Sequence, residues 1–183
     1  MTARPGPKYL PGDPTPAEDV RRMIRVDHAG EYGAVRIYAG QLAVLRRGAA
    51  SPVIREMAAQ EQAHLDRFDK MVGDRHVRPT AFAPLWHVGG WLMGAGTALF
   101  GAPAAMACTV AVEEVIDAHY GAQAARLDGD PELKGAIEEF RADEQAHRDI
   151  ALAHDARHAP AYPVLTAAVK AVSRAAIWIS ERF

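Results

Sequence analysis

The chain has 183 residues, of which 49% are hydrophobic and 24% are charged, with a formal net charge of −2. This apolar content excludes a disordered chain, and one core serves chains of about 100–200 residues, so a single domain is expected. The near balance of charges excludes a generally basic nucleic-acid binder. The only cysteine, Cys108, excludes an intramolecular disulfide framework and a zinc site built from several cysteines.

The predicted elements begin with a proline-rich stretch, residues 1–15, which we interpret as an extended arm without a secretory signal. Helices are predicted at about 16–47, 52–72, 103–127, 131–156 and 163–180. No segment has the pattern of a long strand. The prediction for residues 16–183 is therefore one all-α domain, a helical bundle with an additional C-terminal helix.

Three of these helices are predicted to start where a capping residue precedes proline, at Thr15, Ser51 and Asp130. A cap side chain accepts a hydrogen bond from a free backbone N–H, and proline is tolerated at the first helical position. Helix ends are predicted at Gly48, Gly73 and the turn containing Gly129, because glycine readily adopts the left-handed conformation.

The long stretch from Pro79 to Val112 contains no Asp, Glu, Lys or Arg. Its length would permit a membrane span, but several glycines and prolines interrupt it. We predict that this segment associates with a membrane surface as an apolar hairpin or short helix, with Trp86 and Trp91 at headgroup depth. A buried connection within the bundle, or a contact between copies in a homo-oligomer, is the alternative.

An internal duplication carries the candidate chemistry. The tetrapeptide Glu-Gln-Ala-His occurs at Glu61–His64 and again at Glu144–His147. Upstream, Glu31 aligns with Glu113 at nearly the same offset, and the alignment of these two glutamates also aligns Tyr38 with Tyr120. The chain is therefore predicted to contain two copies of one helical hairpin that pack together into a four-helix bundle.

Residues three apart share a helix face, so each Glu-x-x-His offers a carboxylate and an imidazole to one point. The predicted metal ligands are Glu31, Glu61, His64, Glu113, Glu144 and His147. Four carboxylates and two imidazoles in a four-helix bundle are typical of a di-iron or di-manganese site. Two divalent cations would neutralise four carboxylates that are too costly to bury alone. Solvated Glu–His pairs on the surface are the alternative.

Several neighbours are candidates for supporting roles. Gln60 and Asp143 lie four residues before the two histidines and are candidates to orient the imidazoles, as is His28 beside Glu31. Tyr38 and Tyr120 are either core aromatics or auxiliary groups beside the metal pair. Glu114 could replace its neighbour Glu113 as a ligand, although the alignment of the two tyrosines favours Glu113.

The sequence motifs around these ligands resemble one protein family more closely than the ligand pattern alone does. Asp27-His28-Ala29-Gly30-Glu31, Glu61-x-x-His64, Thr109-Val110-Ala111-Val112-Glu113-Glu114 and Asp143-Glu144-x-x-His147 together resemble the demethoxyubiquinone hydroxylase family, as does the terminal Ser180-Glu181-Arg182-Phe183. The resemblance covers residues 20–183. It implies a ferritin-like fold, two iron ions held by the six predicted ligands, and hydroxylation of the demethoxyubiquinol ring with dioxygen in ubiquinone biosynthesis.

The resemblance also implies a peripheral membrane protein, here expected at the cytoplasmic face of the bacterial inner membrane, near other ubiquinone-biosynthesis proteins. NADH or a quinol would supply electrons, although the sequence has no glycine-rich dinucleotide fingerprint. The main alternative is a ferritin-like iron-oxidising or storage protein, which the charge-free segment fits poorly. A di-iron hydroxylase of a soluble substrate such as tRNA, and a structural protein with a vestigial site, are further alternatives.

Overall fold

The computed structural model describes residues 14–183, so the predicted arm over residues 1–15 lies almost wholly outside the described residues. The described part is helical and has no strands. Its helices are α1 (Pro16–Leu45), α2 (Ser51–Asp74), α3 (Ala83–Ala98), α4 (Ala102–Ala124), α5 (Pro131–Ala153) and α6 (Tyr162–Ser180), with a 3₁₀ turn at Ala156–His158. The five predicted helices are confirmed, with ends that differ by up to three residues.

Four of the helices form the bundle. α1 packs against α2, and α4 packs against α5, which are the two hairpins that the duplication predicts. Two apolar clusters fill the interior: Phe68 and Phe140 belong to one, and Ile54 and Met57 to the other. On α2 the polar residues Glu61–His64 lie between these apolar positions, so the bundle holds a polar layer between two apolar ones.

The predicted helix starts are confirmed at two of three positions. Thr15 forms a capping box with Glu18, and the Asp130 carboxylate accepts a hydrogen bond of 3.1 Å from the backbone N–H of Leu133. The prediction at Ser51 is wrong, because Ala50 caps α2. The turn brings the Ser51 hydroxyl to the end of α1 instead, where it donates to the backbone carbonyl of Arg46 at 3.0 Å.

The left-handed conformation predicted for the glycines at the helix ends is wrong, although the helices end within three residues of the predicted positions. Gly73 lies inside α2, and Gly48 and Gly129 do not adopt a positive φ. Among the described residues the only glycine in that region is Gly101, with φ of 100°, which links α3 to α4. After α2 the left-handed residue is His76, with φ of 50°. Glycine permits this conformation but does not impose it, so the surrounding turn decides which residue adopts it.

The apolar segment divides into two parts. Its first part is α3, which packs along α1, whereas Ala104 to Val112 belong to the buried core of α4. Close contact with α1 requires glycine: a Cβ on Gly94 would lie 1.9 Å from the carbonyl oxygen of Ile37, and a Cβ on Gly40 would lie 2.2 Å from that of Trp91. Within residues 14–183, no helix is both long enough and apolar enough to cross a membrane.

Large apolar side chains remain exposed on the outer surface of α3 and α6. In the described residues, Val44 is the only such side chain outside these helices and their flanks. We call this surface the apolar face; it consists of Leu85, Val88, Trp91, Leu92, Leu99, Phe100, Val164, Val172, Trp178 and Phe183. Trp86 is oriented differently from its neighbours on this face, because its indole N–H donates to the Ser180 hydroxyl at 3.1 Å and joins α3 to α6.

Candidate metal centre

The six predicted ligands converge in the polar layer of the bundle. One carboxylate comes from α1, one from α4, and one Glu–His pair from each of α2 and α5. All six side chains are buried, with relative exposures of 0–3%: Glu31, Glu61, His64, Glu113, Glu144 and His147. The six groups face one another in the interior, so the alternative of solvated surface pairs does not describe them.

The ligand atoms form two overlapping groups. Glu31 and His64 belong to one group, Glu113 and His147 belong to the other, and Glu61 and Glu144 belong to both. Within each group the nitrogen and oxygen atoms that face a common centre lie within 4.8 Å of one another. The two groups therefore share two carboxylates, which is the arrangement expected if each group held one metal ion.

Distances inside the groups are short. Nδ1 of His147 lies 3.0 Å from a Glu61 oxygen and 3.5 Å from a Glu144 oxygen. Nδ1 of His64 lies 3.4 Å from the other Glu144 oxygen and 3.6 Å from a Glu31 oxygen. Glu144 thus contacts an imidazole of each group, one through each of its oxygens.

The hydrogen bonds that these atoms lack support the presence of a cation. In the described part of the chain, 13 buried side-chain nitrogen and oxygen atoms have no hydrogen-bond partner, and eight of them belong to the six residues. They include both oxygens of Glu61 and of Glu144, and Nδ1 of each histidine. A buried polar atom without a partner is costly, and metal coordination removes that cost. The donor set therefore fits two divalent metal ions.

The pKa values of the buried ligands also indicate a site that would be stabilised by cations. Burial and the charge of Glu144 raise the pKa of Glu61 and Glu113 well above the usual value. Burial and the charge of Glu31 raise the pKa of Glu144 to about 8. Burial opposes the charged form of His64, but the contact with Glu31 outweighs it and raises the pKa of His64 to about 9. Without metal the cluster therefore retains protons near neutral pH, and a bound cation would displace them.

Both imidazoles are oriented by outer contacts. Nε2 of His64 lies 3.1 Å from the Asp143 carboxylate, and Nε2 of His147 lies 2.7 Å from the Gln60 side-chain oxygen. These oxygens accept from Nε2–H, so each Nδ1 is the nitrogen that faces the cluster, where a bound cation would take the place of its proton. The structure thus places the two predicted orienting residues in contact with the two histidines.

Tyr38 and Tyr120 contact the cluster in a crossed pattern. The Tyr38 hydroxyl donates to Glu113 at 2.9 Å, and the Tyr120 hydroxyl donates to Glu31. Burial and the neighbouring carboxylates, Glu113 for Tyr38 and Glu31 for Tyr120, raise the pKa of both phenols well above the usual value. Each hydroxyl therefore remains protonated and serves as a donor to the lone glutamate of the other hairpin.

Two other candidates lie outside the cluster. Glu114 forms an ion pair with Lys170 of α6 and has a side chain that is 39% exposed, so the structure brings Glu113 and not Glu114 to the centre. Nε2 of His28 contacts the Asp69 carboxylate at 2.8 Å, which ties α1 to α2 near the surface. Neither residue belongs to the two groups of ligand atoms.

The sequence reasoning missed a buried polar contact beside Glu31. The Asp27 carboxylate accepts hydrogen bonds from Gln123 at 2.8 Å and from His119 at 3.2 Å. The signal was present in the duplication, because the alignment of the two lone glutamates also aligns Asp27 with Thr109. Gln41, which aligns with Gln123, contacts the Thr109 hydroxyl at 3.4 Å.

A cavity of about 280 Å³ lies between α1, α3, α4 and α6. Among the described residues, its wall contains no charged side chain; it includes Trp86 and Met93 of α3, and Ile177 of α6. Gly30 and Val112, which also line it, immediately precede the ligands Glu31 and Glu113 in the chain. Leu85 and Val172 line the cavity and are more than half exposed on the apolar face, so the cavity extends from the ligand-bearing helices to that face.

Comparison with known proteins gives consistent results. A family model described as ubiquinone biosynthesis protein COQ7 matches residues 18–180. A 3-demethoxyubiquinol 3-hydroxylase of Rhodospirillum rubrum is 60% identical, in an alignment that covers 94% of this chain and 82% of that protein.

Eukaryotic relatives are similar over the same region. The human mitochondrial NADPH-dependent 3-demethoxyubiquinone 3-hydroxylase is 54% identical over 89% of this chain and 77% of its own length. The mitochondrial 5-demethoxyubiquinone hydroxylase of Saccharomyces cerevisiae is 44% identical over 88% of this chain and 77% of its own length. The family match spans most of the chain and the identities are high. The chain therefore belongs to the COQ7 family of ubiquinone biosynthesis proteins.

Proposed function

We propose that the protein is a di-iron monooxygenase that hydroxylates the ring of demethoxyubiquinol with dioxygen in ubiquinone biosynthesis. The observation that carries this proposal is the position of the six-ligand cluster on helices that also form the wall of an uncharged cavity. Relatives that align over most of the chain are named 3-demethoxyubiquinol or 3-demethoxyubiquinone 3-hydroxylases. Those names favour ring hydroxylation over iron storage.

Iron fits the donor set, because carboxylate oxygens with imidazole nitrogens suit Fe²⁺ better than they suit thiophilic metals. When bound, the iron pair would supply reductive activation of dioxygen, with one oxygen atom entering the ring and the other leaving as water. The remaining tasks belong to the protein. Glu61 and Glu144, which belong to both groups, would each contribute ligands to both ions, while Asp143 and Gln60 keep the imidazoles in one orientation.

The cavity is the proposed binding site for the quinol ring. Its volume is near the lower end of small-molecule sites, which begin at about 300 Å³. Its apolar wall would exclude water from the reacting ring, and Ser173 and Ser180 are the only side chains with hydroxyl groups among the described residues of that wall. A ring bound between α1 and α4 would contact Gly30 and Val112, the residues that immediately precede Glu31 and Glu113 in the chain.

The apolar face is the proposed contact with the membrane. A polyprenyl tail is too lipophilic to enter water, so a substrate site must open toward lipid. The mouth of the cavity lies among exposed apolar side chains of α3 and α6, including Leu85 and Val172. We therefore propose peripheral association with the cytoplasmic face of the bacterial inner membrane. Other ubiquinone-biosynthesis proteins, or a second copy of this chain, are the alternative partners for this face.

The electron donor is proposed to be a reduced nicotinamide nucleotide. The human and mouse relatives are named NADPH-dependent. NADH, which with a quinol is one of the two donors that the resemblance implies, differs from NADPH only by the phosphate on the ribose. Direct comparison of the two nucleotides at equal concentration in the assay below distinguishes them.

The test is hydroxylation by purified protein. The full chain is loaded anaerobically with two equivalents of Fe²⁺ and mixed with vesicles that contain demethoxyubiquinol. Air is then admitted, with and without a reduced nicotinamide nucleotide. Mass spectrometry should find a product heavier by one oxygen atom, labelled when the gas is ¹⁸O₂. Iron oxidation and mineralisation without a hydroxylated quinol would contradict the proposal and favour the storage alternative.

A further inference from the structure

The two metal positions receive their outer contacts in a crossed pattern, each from the opposite hairpin. Tyr120 of the second hairpin donates to Glu31, and Tyr38 of the first donates to Glu113. The contacts of the imidazoles cross in the same way, since His64 contacts α5 and His147 contacts α2. Duplication thus gives the two positions equivalent surroundings wherever the paired residues are the same.

The paired residues differ at two places. The alignment of the two Glu-x-x-His motifs pairs Gln60 with Asp143, and the alignment of the two lone glutamates pairs Asp27 with Thr109. In both pairs the acidic residue, Asp143 or Asp27, lies beside the metal position that Glu31 and His64 form. Gln60 and Thr109, both neutral, lie at the position of Glu113 and His147.

The stronger difference is at the histidines. The Asp143 carboxylate accepts from His64 at 3.1 Å, whereas the neutral Gln60 amide oxygen accepts from His147 at 2.7 Å. A carboxylate polarises the N–H bond more than an amide oxygen does, so the opposite ring nitrogen becomes a stronger ligand. The negative charge of Asp143 also attracts a cation at the His64 position directly.

The second difference lies one helical turn before each lone glutamate. Asp27 is buried beside Glu31, and its Oδ2 has no hydrogen-bond partner among the described groups. Burial raises the pKa of Asp27, and the contact with His119 offsets that effect in part. Thr109 precedes Glu113 by the same spacing and brings only a hydroxyl group. Because burial favours the neutral form of Asp27, this residue contributes less to the asymmetry than Asp143, which is its main source.

We propose that the two metal positions are unequal, and that the position formed with Glu31 and His64 binds a divalent metal ion first and more tightly. The inference rests on the proposed dinuclear site and specifies the order in which its two positions bind metal ions. Groups that contact a ligating histidine change metal affinity by about 10–100-fold, so the two dissociation constants should differ by at least about 10-fold.

The test uses Mn²⁺ and the metal-free full chain, with electron paramagnetic resonance to count free and bound ions. The wild-type protein should bind one ion before the second and show a mononuclear signal at one equivalent. Two ligand variants assign the order. His147→Ala should retain one tight position, whereas His64→Ala should retain only the weaker one.

Charge variants then test the cause. Asp143→Asn retains an oxygen that accepts from His64 but removes the charge, and it should weaken the first binding step by about 10-fold or more. Gln60→Glu gives His147 a carboxylate and should strengthen the second step. In the combined variant the tight position should move to the other side, so that His64→Ala becomes the tolerated ligand variant.

Asp149→Asn is the matched control, since it removes one charge from an exposed side chain on the same helix. Asp143 is itself 41% exposed, so its asparagine variant should fold, as helicity by circular dichroism will check. Equal binding constants in His64→Ala and His147→Ala would overturn the inference. So would an Asp143→Asn effect no larger than that of Asp149→Asn. Binding of fewer than two ions per wild-type chain would instead contradict the proposed function.

Discussion

The centre of the bundle and the apolar face invert the usual distribution of side chains. The centre buries four carboxylates with 0–1% exposure, whereas the apolar face leaves Leu92 58% exposed and Leu99 75% exposed. A buried carboxylate and an exposed apolar patch are each unfavourable in water. Each region is therefore expected to bind something that removes this cost. Cations would stabilise the centre, and an apolar partner would stabilise the apolar face.

The largest effect is expected from removing a shared carboxylate. Glu144→Ala takes one oxygen from each metal position, so hydroxylation should fall by more than about 100-fold and the metal content should fall with it. The metal-free variant should unfold at nearly the same urea concentration as the metal-free wild type, because the loss of a buried carboxyl group offsets the cavity that alanine leaves. Metal analysis, the quinol assay and urea unfolding measure these effects.

Glu138→Ala is the control for this variant, because Glu138 is exposed on the same helix. It should leave metal content and activity unchanged. A Glu144→Ala protein that binds two metal ions and stays active would contradict the role of Glu144 as a ligand.

The next effect is the pH dependence of stability, which should differ between the buried cluster and the surface carboxylates. The pKa values of Glu61, Glu113 and His64 are raised in the folded state, so the fold binds protons more tightly than the unfolded chain does. Between pH 5 and pH 9 the metal-free protein should therefore lose stability as pH rises, by about 1.4 kcal/mol per pH unit for each proton involved.

Surface carboxylates should not affect this window. Contacts with Arg75 lower the pKa of Asp130 below 3.8, so Asp130 is ionised in both states above pH 5. Metal ions replace the protons in the loaded protein, which should lose less stability over the same range. Urea unfolding at successive pH values, with and without metal, measures both slopes. A metal-free stability that rises with pH would contradict the buried cluster.

A smaller effect is expected at the apolar face. Trp91→Glu and Leu92→Glu should each weaken binding to anionic vesicles by about 10–100-fold, because a fully buried large apolar side chain contributes about 1.5–3 kcal/mol. Ala59→Glu adds the same charge to an exposed position on α2 and is the control. Vesicle flotation measures the fraction of protein that binds to vesicles. Equal flotation of all three variants would contradict membrane binding by the apolar face and favour a protein partner there.

The smallest effect tests the choice between adjacent glutamates. Glu114→Ala removes a partly exposed ion pair with Lys170, so stability should change by about 1 kcal/mol or less and both metal ions should remain. Glu113→Ala should instead lose a ligand. Metal content of the two variants distinguishes them, and loss of metal from Glu114→Ala alone would reverse the assignment.

Much of the fold and of the centre follows from local pattern. The two Glu-x-x-His motifs and the internal duplication predict which helices pair and which side chains meet, because helical spacing fixes the face of each residue. Helix starts at Thr15 and Asp130 follow from capping chemistry within a few residues of chain. Ser51 and the glycine helix ends were predicted wrongly, because the path of each turn selects the local hydrogen bonds.

The number and pairing of the bundle helices and the six candidate ligands can be predicted from the sequence, because helical spacing and the internal duplication are both visible in it. The tertiary structure adds which ligands the two groups share, that Glu114 pairs with Lys170, and that each tyrosine donates to the opposite hairpin. It also divided the charge-free segment between the surface helix α3 and the buried start of α4. These features depend on contacts between residues far apart in the chain, which spacing along a single helix does not specify.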